Sequence, residues 1–164
     1  MTLLHSNWRA LSIQQPWIDL ILERRKTIEV RYWRGRAGDN LLKRRGGFLL
    51  HASRNVDWKT FELLGYENVH LLPRQQIMGY AEIDTVVTLT NENRLAYLYD
   101  HWVLHPFSGA PLGAVLRNAT RFKNSIACGG GPFFFSLPAS THAAINQQLE
   151  LIGVNPLSDP SRLG

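Results

Sequence analysis

Lys26, Thr27, Glu29 and Arg31 are the residues of this chain whose types and spacing best suit chemistry. They lie in the run RKTIEVR, where Ile28 and Val30 alternate with Thr27, Glu29 and Arg31. Neighbouring side chains of a strand point to opposite faces, so a hydroxyl, a carboxylate and a guanidinium share one face. Lys26 adds an ammonium at the start of the strand. Such a set is costly to bury unless each polar group finds a partner. It suits a pocket for a nucleotide or a terminal phosphate. Arg31 would pair with phosphate, Lys26 would add a point charge, and Glu29 would accept from a base amino group or a ribose. The plainer alternative is an internal ion pair, Glu29 with Arg31 or with Lys26, that holds the strand. Lys26, Glu29 and His51 are the candidate catalytic residues.

Other side chains extend the set. His51 and Ser53 are two apart near the end of an apolar strand, so both can reach one cleft, His51 as an acid–base group or as a buried, hydrogen-bonded structural residue. The structural role is the weightier for His51. Glu82 is either a second pocket carboxylate or a solvent-facing strand residue. Two carboxylates in one cleft would permit acid–base chemistry. Trp17 reads as core, and Tyr32 and Trp33 are better platforms for an unstacked base. His101 and His105 have helical spacing but no third ligand, so no metal site is expected. The lone Cys128 reads as a small buried residue, and Gly129–Gly131 lacks the Gly-Lys-Ser/Thr of a phosphate loop. No cofactor is expected.

The elements that must position these groups follow from hydrophobic period and from breakers. Short strands are expected at 9–13, 27–33, 48–53, 77–89, 113–122 and 133–137. Helices are expected after Pro16, at 56–64, at 91–101 with Asn91 as a possible N-cap, and at 140–152. Residues 35–47 read as a basic loop ending in Gly46-Gly47. The run Phe133–Phe135 breaks alternation, which suits a strand covered on both sides. The fold class expected is α+β, a small barrel of five to six strands with flanking helices, because closure removes exposed strand edges. One domain spans 9–153, between a flexible lead-in at 1–8 and a flexible tail at 154–164.

Charge points to a partner. The chain has 164 residues and a net charge of +5. Ten of its 18 basic residues fall between Arg24 and Arg54, against only Glu29 and Asp39 in that window. Arg34, Arg36, Lys43, Arg44 and Arg45, with Tyr32 and Trp33 beside them, form the pattern that a phosphate backbone selects. A solvated basic loop is the alternative. No apolar run approaches the ~20 residues that span a bilayer. No signal peptide is recognised at the start, and a single cysteine rules out an internal disulfide, so the cytoplasm is expected.

Several segments, taken in order, resemble the ASCH domain family of the PUA-like superfamily: ALSIQQPW at 10–17, RKTIEVR at 25–31, LHAS at 50–53, GYAEI at 79–83, GAVL at 113–116, ACGG at 127–130 and FFSLP at 134–138. The resemblance implies a β-barrel flanked by helices, with a cleft between the strand of Glu29 and the first helix. It also implies binding of RNA or another nucleic acid, or of a nucleotide-like small molecule. Some members of that family are small enzymes acting on modified cytidines or cutting RNA. In the amidohydrolases among them, Lys26 matches, but Glu29 stands where a nucleophilic threonine is needed, and Thr27 is misplaced for the task. Glu92 is a candidate for their further carboxylate by location only. The expectation is therefore an RNA-binding domain, with the polar cleft reading a nucleotide and the basic segment holding phosphates. The alternative is a small hydrolase acting on a modified nucleoside or on RNA phosphodiesters.

Overall fold

The fold is that of a computed structural model, which describes residues 4–67 and 71–163. Six strands form one mixed sheet: β1 (Arg9–Gln15), β2 (Ile28–Arg31), β3 (Gly46–Val56), β4 (Gln76–Thr88), β5 (Leu112–Ala127) and β6 (Phe134–Ser136). Their order is β2-β5-β4-β3-β1-β6. β1 and β3 are parallel, and the other neighbours are antiparallel. The helices are α1 (Trp17–Leu22), α2 (Gly35–Lys43), α3 (Trp58–Leu63), α4 (Leu98–His101) and α5 (His142–Leu151). None of the described helices is long and apolar enough to cross a membrane.

Period-two alternation divides the core in two. Leu11, Ile13, Phe48 and Leu50 point to one face, where Ile18, Ile21 and Leu22 of α1 and Leu41 of α2 cover them. Ala10 and Leu49 point to the other, against Ile145 and Leu149 of α5, with Trp8, Tyr80 and Phe122 beside them. A strand covered on both faces has no need to alternate, which explains the apolar run at 48–50. Phe134 and Phe135 pack on opposite cores, but the expectation of a covered strand over Phe133–Phe135 is corrected: Phe133 precedes β6, is 52% exposed, and β6 lies at the sheet edge. Truncating Phe48 or Leu50 to alanine would cost about 2–5 kcal/mol.

The expected closed barrel does not form: the sheet stays open. β2 and β1 lie four places apart in the strand order, which in a flat sheet would be about 19 Å. Yet Arg31 Nη2 donates to the Ser12 carbonyl at 2.8 Å. The sheet therefore curls until its β2 and β1 ends nearly meet, and a side chain rather than a backbone ladder bridges the gap. β2 is only four residues long, which leaves little backbone to form a ladder across that gap.

Other expectations are corrected. Much of the basic segment is helix, not loop, because Gly38 and Leu41 form a buried stripe one turn apart. A Cβ on Gly38 would lie 2.7 Å from the Trp33 carbonyl oxygen, so only glycine lets the helix approach there. At 91–101 the helix is reduced to a 3₁₀ turn at Arg94–Tyr97 followed by α4. Asn91 caps nothing; its amide instead holds both backbone polar groups of Phe107. Residues of the lead-in and of the tail meet in their described parts. The Trp8 indole is 1% exposed and donates to the Pro156 carbonyl, as does the His5 amide. Residues 1–3 and 164, which belong to those two expectations, lie outside the described residues.

Candidate functional site

The opening between β2 and β1 holds the polar set. Lys26 is 3% exposed. Its Nζ donates to the carbonyls of Ile28 at 2.6 Å and His101 at 2.8 Å. It also lies 3.9 Å from Glu29 Oε2 and 5.0 Å from the centre of the Trp17 ring. Burial disfavours the ammonium more than Glu29 favours it, and Arg31 adds repulsion, so the pKa falls from 10.5 to about 8.

Glu29 is nearly as buried, but its two oxygens differ. Oε1 lies 3.2 Å from Arg31 Nε, an ion pair whose geometry falls short of a hydrogen bond. Oε2 has no hydrogen-bond partner. Two recesses meet at this carboxylate. One, of about 340 Å³, is lined by Ser12, Gln14, Trp17, Arg31 and Ser53 together with Glu29. The other, of about 160 Å³, is lined by Trp17, Lys26, Tyr32, Asp57 and His105 with the same glutamate. Lys26, Glu29, Arg31, Tyr32 and Ser53 are thus brought together.

Thr27, His51 and Glu82 are not. Thr27 turns away and donates to Asp100 Oδ1 at 3.0 Å. His51 is fully buried. Its Nε2 lies 2.6 Å from the Cys128 carbonyl and its Nδ1 lies 2.8 Å from Ser12 Oγ. Because a carbonyl can only accept, Nε2 carries the proton and Nδ1 receives the serine hydroxyl. Desolvation lowers the His51 pKa, so the ring stays neutral. Glu82 is buried but belongs to a separate cluster: Oε1 accepts from Tyr80 at 2.6 Å, and Oε2 accepts from Arg117 and Asn118, each at 3.0 Å. Neighbouring strand positions do not imply a shared pocket once β4 is paired on both edges. Glu92 is exposed and lines neither recess.

The cations of α2 and its flanks form a second group. Arg36 and Arg44 line a recess of about 370 Å³ with Trp33, Asn40, Phe133 and Phe134. Arg44 also lines a neighbouring recess with Arg9, Lys43 and Arg45. Arg34 is exposed at the N-cap of α2. Trp33 joins the two regions, because the Arg31 guanidinium sits 5.4 Å from its ring centre.

The sequence does not flag Ser12 or Asp57, and for Trp17 it favours core over a stacking face. Trp17 is half-buried, packs on the first core and lines both polar recesses. Its indole donates to Asp57 Oδ2 at 3.0 Å, while Asp57 also caps α3 through Thr60. The Asp-x-x-Thr spacing before an apolar helical stripe is a cap signal that could have flagged Asp57. Nothing local signals that the cap would also orient Trp17.

The family profile described as ASCH domain matches residues 11–119. Among solved structures, that of ASCH from Zymomonas mobilis is similar, with a TM-score of 0.60 and 13% identity, covering 87% of this chain and 95% of that one. Two mutant forms of the same protein give TM-scores of 0.57 and 0.59, also at 13% identity. They cover 88% and 86% of this chain, and 98% and 97% of theirs. At that identity the likeness speaks for fold. No curated protein matches significantly.

Proposed function

The chain belongs to the ASCH domain family, and from that membership we propose that it binds RNA: the cleft between β2 and β1 takes one nucleotide, and the cationic surface of α2 holds the backbone. The observation that carries the reading is Glu29: it lines both recesses, and its buried Oε2, 3.9 Å from Lys26 Nζ, has no hydrogen-bond partner among the described residues. Leaving such an atom unsatisfied costs about 1–3 kcal/mol, which an N–H or O–H from a ligand recovers. Nucleobases and ribose carry such donors. Trp17 and Tyr32 offer aromatic faces beside it, and Arg31 offers charge for a phosphate.

The test is fluorescence anisotropy with a labelled single-stranded RNA. Binding should weaken with added salt, and Glu29→Gln should weaken it about tenfold while leaving the salt slope alone, since the carboxylate reads a base or sugar and not a phosphate. A wild-type chain that binds neither RNA nor mononucleotides at low salt sinks the reading.

A hydrolytic alternative draws on one observation, the depressed Lys26 beside Glu29. Against it, two of the three Lys26 donors are held by backbone carbonyls, and Thr27 is engaged elsewhere. Turnover of acetylated cytidine or labelled RNA that disappears in Lys26→Ala would favour that alternative.

A further inference from the structure

We infer that the recess between α2 and the Phe133–Phe134 segment is a second nucleotide subsite, taking the base next along the strand from the one held at Glu29; the inference rests on the RNA-binding reading above. The recess holds about 370 Å³, enough for one base, and combines aromatic side chains with two guanidiniums and the Asn40 amide. None of the residues lining it is acidic.

Three observations point the same way. The first is Phe133, which is 52% exposed and has a φ of 53°, in the left-handed region. A bulky residue rarely adopts that backbone, and apolar burial does not explain it here, because half the ring faces water. What the conformation achieves is to set the ring at the mouth of the recess, edge-on to Trp33, with centroids 4.9 Å apart and planes at 79°. One ring face remains for a base to stack on.

The second is charge. The Arg44 guanidinium lies 3.8 Å from the centre of the Phe134 ring, and neither it nor Arg36 has an acidic partner among the described residues. Burial, and after it repulsion from Arg9, holds the Arg44 pKa down at about 10. Cations placed together without a carboxylate await an anion, and a phosphodiester meets that need beside a stacked base. The third is continuity. Arg31 lines the Glu29 cleft and Trp33 lines this recess, and the Arg31 guanidinium sits 5.4 Å from the Trp33 ring centre, so the walls of the two recesses adjoin. Together they describe a path for a single strand, one base at Glu29 and the next at Phe133.

The test compares the full-length wild type with Phe133→Gly and Glu29→Gln, using 5′-CMP and 5′-AMP alongside a labelled single-stranded RNA of about eight nucleotides. Glycine tolerates the left-handed backbone, so Phe133→Gly should keep or raise the melting temperature. It should weaken the RNA about tenfold, in the range for loss of one stacked base, and leave mononucleotide affinity unchanged. Glu29→Gln should weaken both. RNA affinity unchanged in Phe133→Gly while Glu29→Gln weakens it overturns the subsite and leaves the cleft standing. Loss of RNA binding accompanied by a lower melting temperature also overturns it, because the ring would then be structural. No RNA binding by the wild type overturns both readings.

Discussion

Two carboxylates in this molecule are buried to the same degree, 7% exposed each, and have opposite surroundings. Glu82 is saturated: a tyrosine, an arginine and an asparagine donate to its two oxygens. Glu29 is left short of hydrogen bonds among the described residues, with Oε1 against Arg31 and Oε2 only 3.9 Å from the Lys26 ammonium, on a residue that lines a cleft. Burial alone does not mark a site. The difference lies in whether the polar group's valences are filled from within the fold, since filled valences stabilise and an empty one is available to a ligand.

The largest effect that can break this contrast is on stability. Glu82→Ala leaves the Tyr80 hydroxyl and the Asn118 amide without their acceptor, while Arg117 keeps Asp84, so we expect a loss of about 3 kcal/mol in chemical denaturation with no specific effect on ligand selection. Glu29→Gln should lose about 1 kcal/mol or less, because Lys26 keeps its two carbonyls. Equal losses would erase the distinction.

Next in size is the pH response of Lys26. Its folded pKa, about 8, lies below the ordinary 10.5. Below pH 8 the side chain is charged in both folded and unfolded chains, and its burial penalty is fully felt. Between pH 8 and 10.5 the unfolded chain holds the extra proton, so this group's contribution to stability rises with pH, by an amount on the order of 3 kcal/mol. Lys26→Met should flatten that rise in denaturation series across the window. Affinity for an anionic ligand should move the other way, falling above pH 8 as the ammonium is lost; a flat profile would remove Lys26 from the site.

A smaller effect separates the cleft from the α2 surface. Replacing Arg44 or Arg45 by alanine should reduce the slope of log affinity against log salt by about one each, uniformly across RNA sequences. Glu29→Gln should change sequence or nucleotide preference instead. If the slope is unaltered, α2 does not hold phosphates. The smallest effect concerns His51. Its folded pKa is below 6.5 through desolvation, so its stabilisation is present above pH 6.5 and declines as acid protonates the unfolded chain first. His101 is shifted the same way and should act in parallel. His51→Gln should make the acid limb shallower in thermal melts, and an unchanged limb would show that other groups set it.

Local pattern was legible where chemistry is local. The alternation at Thr27–Arg31 placed Glu29 and Arg31 on one face, and the structure keeps them there, 3.2 Å apart. The helix after Pro16 and the six strand runs were likewise readable, apart from their ends. Helix α2 was not, because two glycines and a string of cations mask the stripe formed by Gly38 and Leu41. For His51, favoured as a buried hydrogen-bonded residue, and for Glu82, open between cleft and solvent, the sequence left the cleft as an alternative, because strand phase says which face a side chain takes but not which neighbour waits on that face.

From its residues alone this chain is committed to a family, a polar set and a cationic segment, since each depends on side-chain identity and on periods of two or a few residues. The open edge between β2 and β1, the empty valence on Glu29 and the pairing of Phe133 with Trp33 depend on segments tens of residues apart coming within a few ångströms. Sheet curl and packing set those distances, and hydrogen-bond satisfaction is sensitive to fractions of an ångström that no local pattern encodes.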